Sequence, residues 1–101
     1  MSYRCEKLRL AVFALVGTGT VQERLRNASL VNFLVLEPDD FPEQHLKQRF
    51  SDIYKGLTSV PAIADEGSME ATISRMSDEE AKEYAQRIFY LYDEVCEIDK
   101  E

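Results

Sequence analysis

Apolar side chains recur every three or four residues in several stretches of this chain, which is the spacing of one face of an α-helix. The first stretch runs from about residue 3 to residue 16. It begins as an amphipathic pattern and becomes apolar on every side from Leu10 to Val16. This spacing predicts an all-α fold: a small bundle of four to five helices that forms a single domain over residues 1–101.

A glycine-rich segment separates the first two predicted helices. Thr20 can cap the second helix while Glu23, three residues later, reaches back to the cap. Gly17 is placed to end the first helix in a left-handed conformation. The segment lacks the third glycine of a dinucleotide-binding loop and the Gly-Lys-Ser/Thr of a P-loop. We therefore expect it to join two antiparallel helices into a hairpin and not to bind phosphate.

The second helix, expected from Val21 to Leu36, changes pattern halfway along. Its main stripe is formed by Val21, Leu25, Ala28, Val31 and Val35. Asn32 projects near the centre of this stripe. The pattern is typical of a central bundle helix in which Asn32 bonds to a neighbour, or of an oligomer seam with a buried polar residue. A buried strand over Leu30–Leu36 is the structural alternative, because short apolar runs do not separate the two states.

Three further helices complete the predicted bundle. The third, Pro42–Leu57, carries a narrow apolar stripe, and a short fourth helix begins at Ser68. Ser77 and Glu80 form a second capping box at the start of the last helix. The core face of that helix is expected to contain Ala81, Tyr84, Ala85, Ile88, Tyr92, Val95 and Ile98, and Phe89 and Leu91 widen it.

The net charge of −7 is concentrated towards the C-terminus, since residues 1–36 sum to +3 and residues 67–101 to −6. An acidic body repels phosphate backbones, which disfavours nucleic acid as a partner. No stretch reaches the length of a membrane span. The basic residues before Leu10–Val16 are arranged as in a secretory signal, but the apolar run is short and Glu6 interrupts the basic region.

The two cysteines, Cys5 and Cys96, have neither CxxC nor metal-ligand spacing. This usage predicts free, buried thiols and a reducing, cytoplasmic environment. His45 is the only histidine, and the acidic residues before it are typical of a helix N-terminus. No nucleophile motif is present. The sequence therefore predicts no cofactor and no metal, and it offers no candidate for enzymatic catalysis.

Tyr90 is the strongest candidate for contact with another protein. On the last helix it projects opposite the core stripe, among acidic residues that include Glu83 and Glu94, with Arg87 nearby. Aromatic residues dominate the binding energy of many interfaces. We therefore expect Tyr90, Glu83, Arg87 and Glu94 to bind a basic partner.

The predicted hairpin has more apolar surface than the other helices can cover in a domain of this size. The residues expected to remain uncovered are Leu10, Phe13, Leu30, Phe33 and Leu34. Exposed apolar patches usually mark an interface, and two-fold pairing is the commonest way to close one. The sequence thus predicts a small homodimeric protein that acts by protein–protein interaction, in a regulatory or accessory role. The alternatives are an acidic inhibitor that imitates nucleic acid on a basic enzyme site, and a ligand-binding helical bundle.

Overall fold

The computed structural model describes residues 2–62 and 66–100, and within these ranges it contains five α-helices and no β-strand. The helices are α1 (Tyr3–Leu15), α2 (Val21–Ala28), α3 (Gln44–Leu57), α4 (Ser68–Ser74) and α5 (Asp78–Ile98). A π-helical segment, Ser29–Phe33, continues α2, and a 3₁₀ turn, Pro38–Asp40, precedes α3. The predicted all-α bundle is confirmed. The predicted third helix begins two residues later than expected, at Gln44.

Both predicted capping boxes are present. Thr20 Oγ1 accepts a hydrogen bond from the Glu23 amide at 3.0 Å, and Glu23 accepts one from the Thr20 amide at 2.8 Å. Ser77 and Glu80 cap α5 in the same reciprocal way. The left-handed residue of the turn, however, is Gly19, with a φ of 103°, and not Gly17. A side chain at Gly19 would be strained and would also meet the Glu23 carboxylate, so the second glycine of the turn is the one that the backbone requires.

The predicted stripe of the second helix is wrong beyond Ala28, because a π-helical segment replaces the α-helix there. The Leu34 amide bonds to the Ser29 carbonyl, five residues back, at 2.8 Å. This extra residue in one turn rotates every later side chain around the helix axis. Val31 and Val35, expected in the core, are therefore exposed, whereas Asn32 and Phe33 are buried. The strand alternative over Leu30–Leu36 is wrong as well.

The core contains a row of aromatic rings between the π-helical segment and α3. Phe50 lies at the centre of the row, with ring centroids 4.9 Å from Phe33 and 4.7 Å from Phe41. All three rings are buried. On α5 the buried residues are Ala81, Ile88, Leu91 and Val95. Ile98, which was expected in the core, is the last residue of α5 and is exposed. Among the described residues no helix combines the length and the apolar character needed to cross a membrane.

The first and last helices are joined covalently. Cys5 on α1 and Cys96 on α5 form a disulfide, with Cα atoms 5.1 Å apart. The expectation of two free thiols is therefore wrong. The cysteines no longer support a reducing cytoplasm as the environment, since stable disulfides are rare there. The sequence contained no local signal for this pair, because the two helices meet only through the tertiary fold.

Ion pairs reinforce the same junction. Arg4 is 8% exposed and contacts two acidic side chains. Its Nη2 and Nε donate to the two Asp99 carboxylate oxygens at 2.7 and 2.8 Å, and its Nη1 donates to Glu43 Oε1 at 2.7 Å. The carboxylate of Glu43, expected only to favour the start of the third helix, thus ties α3 to α1.

Candidate functional site

A groove of about 740 Å³ lies between the C-terminal half of α1, the start of α2 and the N-terminal half of α5. We call it the α1–α5 groove. Its apolar wall residues are Val12, Leu15, Val16, Val21, Ala85 and Phe89, and Tyr90 lies at its edge. The helix pattern explains this composition, because Val12 and Val16, like Ala85 and Phe89, are four residues apart and share a helix face.

Three apolar residues of the groove are open to solvent, whereas Val12, Leu15, Val21 and Ala85 are partly buried. Val16 is 72% exposed, Phe89 44% and Tyr90 60%. The small side chain of Ala85 lies between these larger residues and deepens the trough. Contiguous exposed apolar side chains with a polar border are typical of surfaces that bind other molecules.

Charged residues of both signs border the groove at its α2 end. Arg24 Nη1 donates to the Leu15 carbonyl at 3.0 Å, which holds the guanidinium against the end of α1. The Asp78 carboxylate accepts from Gln22 Nε2 at 2.8 Å. Glu79 and Lys82 line the same border, and neither forms an ion pair with another described residue. The border therefore offers both a cation and an anion to an incoming side chain.

The sequence-predicted partner-binding residues surround one edge of this groove. Tyr90 separates the groove from a smaller recess lined by Arg49, Asp52, Ile53 and Arg87. Its ring contacts that of Phe89 edge-on, with centroids 5.6 Å apart. The sequence identified Tyr90, but it assigned Phe89 to the core face and missed the α1 wall, because that wall is brought to α5 only by tertiary packing.

The acidic residues around Tyr90 already have cationic partners. Glu83 accepts from Arg87 Nη2 at 2.9 Å. Glu94 contacts Arg49, and its second oxygen lies 3.0 Å from His45 Nε2. The hydrogen bond from His45, and then that from Arg49, lowers the pKa of the Glu94 carboxyl. Both carboxylates are therefore neutralised locally, and Tyr90 is a more accessible contact than either of them.

The tyrosines of α5 should differ sharply in their effect on stability. We expect Tyr90→Ala to change the free energy of unfolding by no more than about 0.5 kcal/mol, because the side chain is exposed. Tyr84→Ala should cost about 2 kcal/mol, since Tyr84 packs so closely on Gly56 of α3 that a Cβ there would overlap its hydroxyl. Denaturant titration of both variants measures the difference, and equal losses would show that this assignment of the α5 faces is wrong.

The five predicted dimer residues do not form one surface. The predicted exposure of Phe33 is wrong, because its ring is fully buried in the aromatic core of a single chain. Leu10 is partly buried, and Phe13 is exposed near the turn, under the Arg9 guanidinium. Leu30 and Leu34 lie at the opposite end of the antiparallel hairpin, where both line a cleft with Tyr54.

The ionisable groups with shifted pKa values serve structural contacts. Hydrogen bonds from Arg4 lower the pKa values of Asp99 and Glu43, and the same bonds raise the pKa of Arg4. All three residues lie at the α1–α5 disulfide junction and not in the groove. Within residues 2–62 and 66–100, no group of three or more His, Cys, Asp or Glu side chains is arranged to hold a metal ion.

No family model matches the chain, and neither a curated protein nor a solved structure matches it at a significant level.

Proposed function

We propose that the protein acts by binding another protein through the α1–α5 groove, in a regulatory or accessory role and without catalysis. The observation that carries this proposal is the exposed apolar wall of the groove, formed by two helices and containing Val16, Phe89 and Tyr90. Contiguous exposed apolar side chains with a polar border often mark a surface that binds another protein.

An amphipathic helix is the occupant that this geometry fits best. A trough between two helices accepts side chains spaced by three or four residues, as in other helix-in-groove interfaces. The charged border at Arg24, Glu79 and Lys82 would fix the direction of the bound helix. The net charge of −7 favours a partner with basic residues, which would associate faster by electrostatic attraction.

The alternatives have less support in the structure. A small-molecule site normally encloses most of its ligand, whereas Val16, Phe89 and Tyr90 leave this groove open to solvent. An acidic mimic of nucleic acid relies on unpaired carboxylates, whereas two of the α5 carboxylates near Tyr90, Glu83 and Glu94, are paired with Arg87 and Arg49. Both features favour a peptide-binding groove.

Peptide selection tests the proposal without knowledge of the natural partner. A displayed library of amphipathic helical peptides is selected on the wild-type protein, and the affinity of the recovered peptides is measured by fluorescence polarisation. We expect Val16→Glu and Tyr90→Ala each to weaken binding at least about tenfold, because both remove exposed apolar contact from the groove.

A matched control uses an exposed apolar residue outside the groove. Ile98, at the far end of α5, is 46% exposed, and Ile98→Glu should leave peptide binding unchanged. Peptides that bind all three variants as well as the wild type would place the binding surface elsewhere and refute the groove as the binding site.

Self-association is a second candidate function, favoured by a separate apolar surface on the π-helical segment.

A further inference from the structure

The π-helical segment and the residue pair after it present an apolar face whose side chains are exposed or only partly buried among the residues that the structure describes. Val31 is 64% exposed, Leu34 42% and Val35 46%, while Leu30 beside them is partly buried. These four residues lie on one side of the helical turn, since they are related by one, four and five positions. We call them the π-segment face. Tyr54 of α3 borders this face, because it shares one cleft with Leu30 and Leu34.

The rotation produced by the π-helical turn creates this face. An uninterrupted α-helix would direct Val31 and Val35 into the core with Val21 and Leu25. The π-helical turn keeps Asn32 buried, moves Phe33 into the core and places the two valines in solvent. Val31 and Val35 thus stay outside the core of the single chain, and a contact with another surface would bury them.

We propose that the π-segment face is where a second copy of this chain binds, to form a two-fold symmetric dimer. This inference rests on the homodimeric part of the proposed function and assigns it a surface different from the α1–α5 groove. It replaces the mixed set of Leu10, Phe13, Leu30, Phe33 and Leu34, of which only Leu30 and Leu34 belong to this face.

Charge is the first reason to choose a second copy. Each chain carries a net charge of −7, so two copies repel unless they meet where acidic residues are scarce. The π-segment face contains no charged residue, and Asn27, one turn before Val31, is exposed and neutral. Pairing through the face itself therefore places no carboxylate of one copy against a carboxylate of the other.

Self-complementarity is the second reason. A cleft beside Leu34 is lined by Glu37 and Lys55, which carry opposite charges and form no ion pair with any described residue. In an isologous interface each patch faces its own copy. Glu37 of one protomer can therefore face Lys55 of its partner, twice per dimer. An anionic membrane would instead require a cluster of basic residues. Among the described residues that line this cleft, Lys55 is the only basic one.

Sedimentation equilibrium and light scattering test the proposal. We expect the wild type to have twice the chain mass at micromolar concentration, and the double variant Val31→Glu/Val35→Glu to have the mass of one chain with an unchanged helical circular-dichroism spectrum. The variant is expected to fold because both valines are exposed. Phe33→Asp is unsuitable as a test, since it would disrupt the aromatic core.

Three controls make the result specific. Val16→Glu in the α1–α5 groove should remain dimeric. Glu37→Lys should weaken the dimer, and the exchange Glu37→Lys/Lys55→Glu should restore it. A wild type that is monomeric at hundreds-of-micromolar concentration, a double variant that stays dimeric, or an exchange that fails to restore the dimer would each overturn the proposal. Peptides selected on the groove should still bind the monomeric variant, so failure of either surface can be recognised separately.

Discussion

Replacing both Cys5 and Cys96 by serine is expected to lower the free energy of unfolding by about 4 kcal/mol, because the disulfide closes a loop of almost the whole chain. The two cysteines are separated by 91 residues. In the chain-entropy model a loop of that length restricts the unfolded state strongly, and the stabilisation approaches the upper end of the usual range. A domain of this size has a total stability of only about 5–15 kcal/mol, so the loss would be a large part of it.

Urea titration of the wild type with and without a dithiol reductant, alongside the double serine variant, measures this effect. The reduced wild type and the variant should unfold at similar, lower urea concentrations. A thiol assay on the non-reduced, denatured protein should detect no free cysteine. Two titratable thiols in freshly purified protein, or a midpoint that ignores the reductant, would contradict the Cys5–Cys96 pairing.

Arg4→Met should have the second-largest effect, about 3 kcal/mol, because it leaves partly buried carboxylates without their cation. The guanidinium binds Asp99 through two N–H groups and Glu43 through two more, at distances of 2.7–3.0 Å. The single ammonium of lysine cannot reproduce this fork, so Arg4→Lys should recover only part of the loss. Full recovery by lysine would show that charge alone, and not the bidentate geometry, stabilises the junction.

The same contacts predict acid sensitivity. Arg4 lowers the pKa values of Asp99 and Glu43 in the folded state. The unfolded chain therefore binds protons at higher pH than the folded chain, and the stabilisation is complete only above the unfolded pKa values of about 4. It should be lost progressively as the pH falls from about 5 through the folded pKa values. The melting temperature of the wild type should drop more steeply in this range than that of Arg4→Met.

The helix pattern could be predicted because the signals for it are local. Thr20 and Ser77 begin helices through contacts with residues only three positions away. The π-helical segment could not be predicted from spacing, since Val31 and Val35 continue the α-helical stripe in the sequence. Its formation buries Phe33 against Phe50, a contact between two different helical segments. Tertiary packing thus overrode the local pattern at this point.

The candidate site was predictable on one side only. The position of Tyr90 opposite the α5 core stripe follows from helical periodicity, and the structure places it on the surface. The opposite wall of the groove, with Val12 and Val16, could not be foreseen, because nothing in the sequence specifies how α1 packs on α5. The Cys5–Cys96 and Arg4–Asp99 contacts that fix this packing are equally non-local.

The central claim is that the α1–α5 groove binds a helical protein segment, and amide chemical-shift mapping of the wild type with a selected amphipathic peptide tests it most directly. The account predicts that the largest shift changes cluster at Val12, Val16, Ala85, Phe89 and Tyr90. The amides of Leu30, Val31, Leu34 and Val35, at the opposite end of the hairpin, should hardly change. Shift changes concentrated on α3 or on the π-segment face, with none along the groove, would contradict the account.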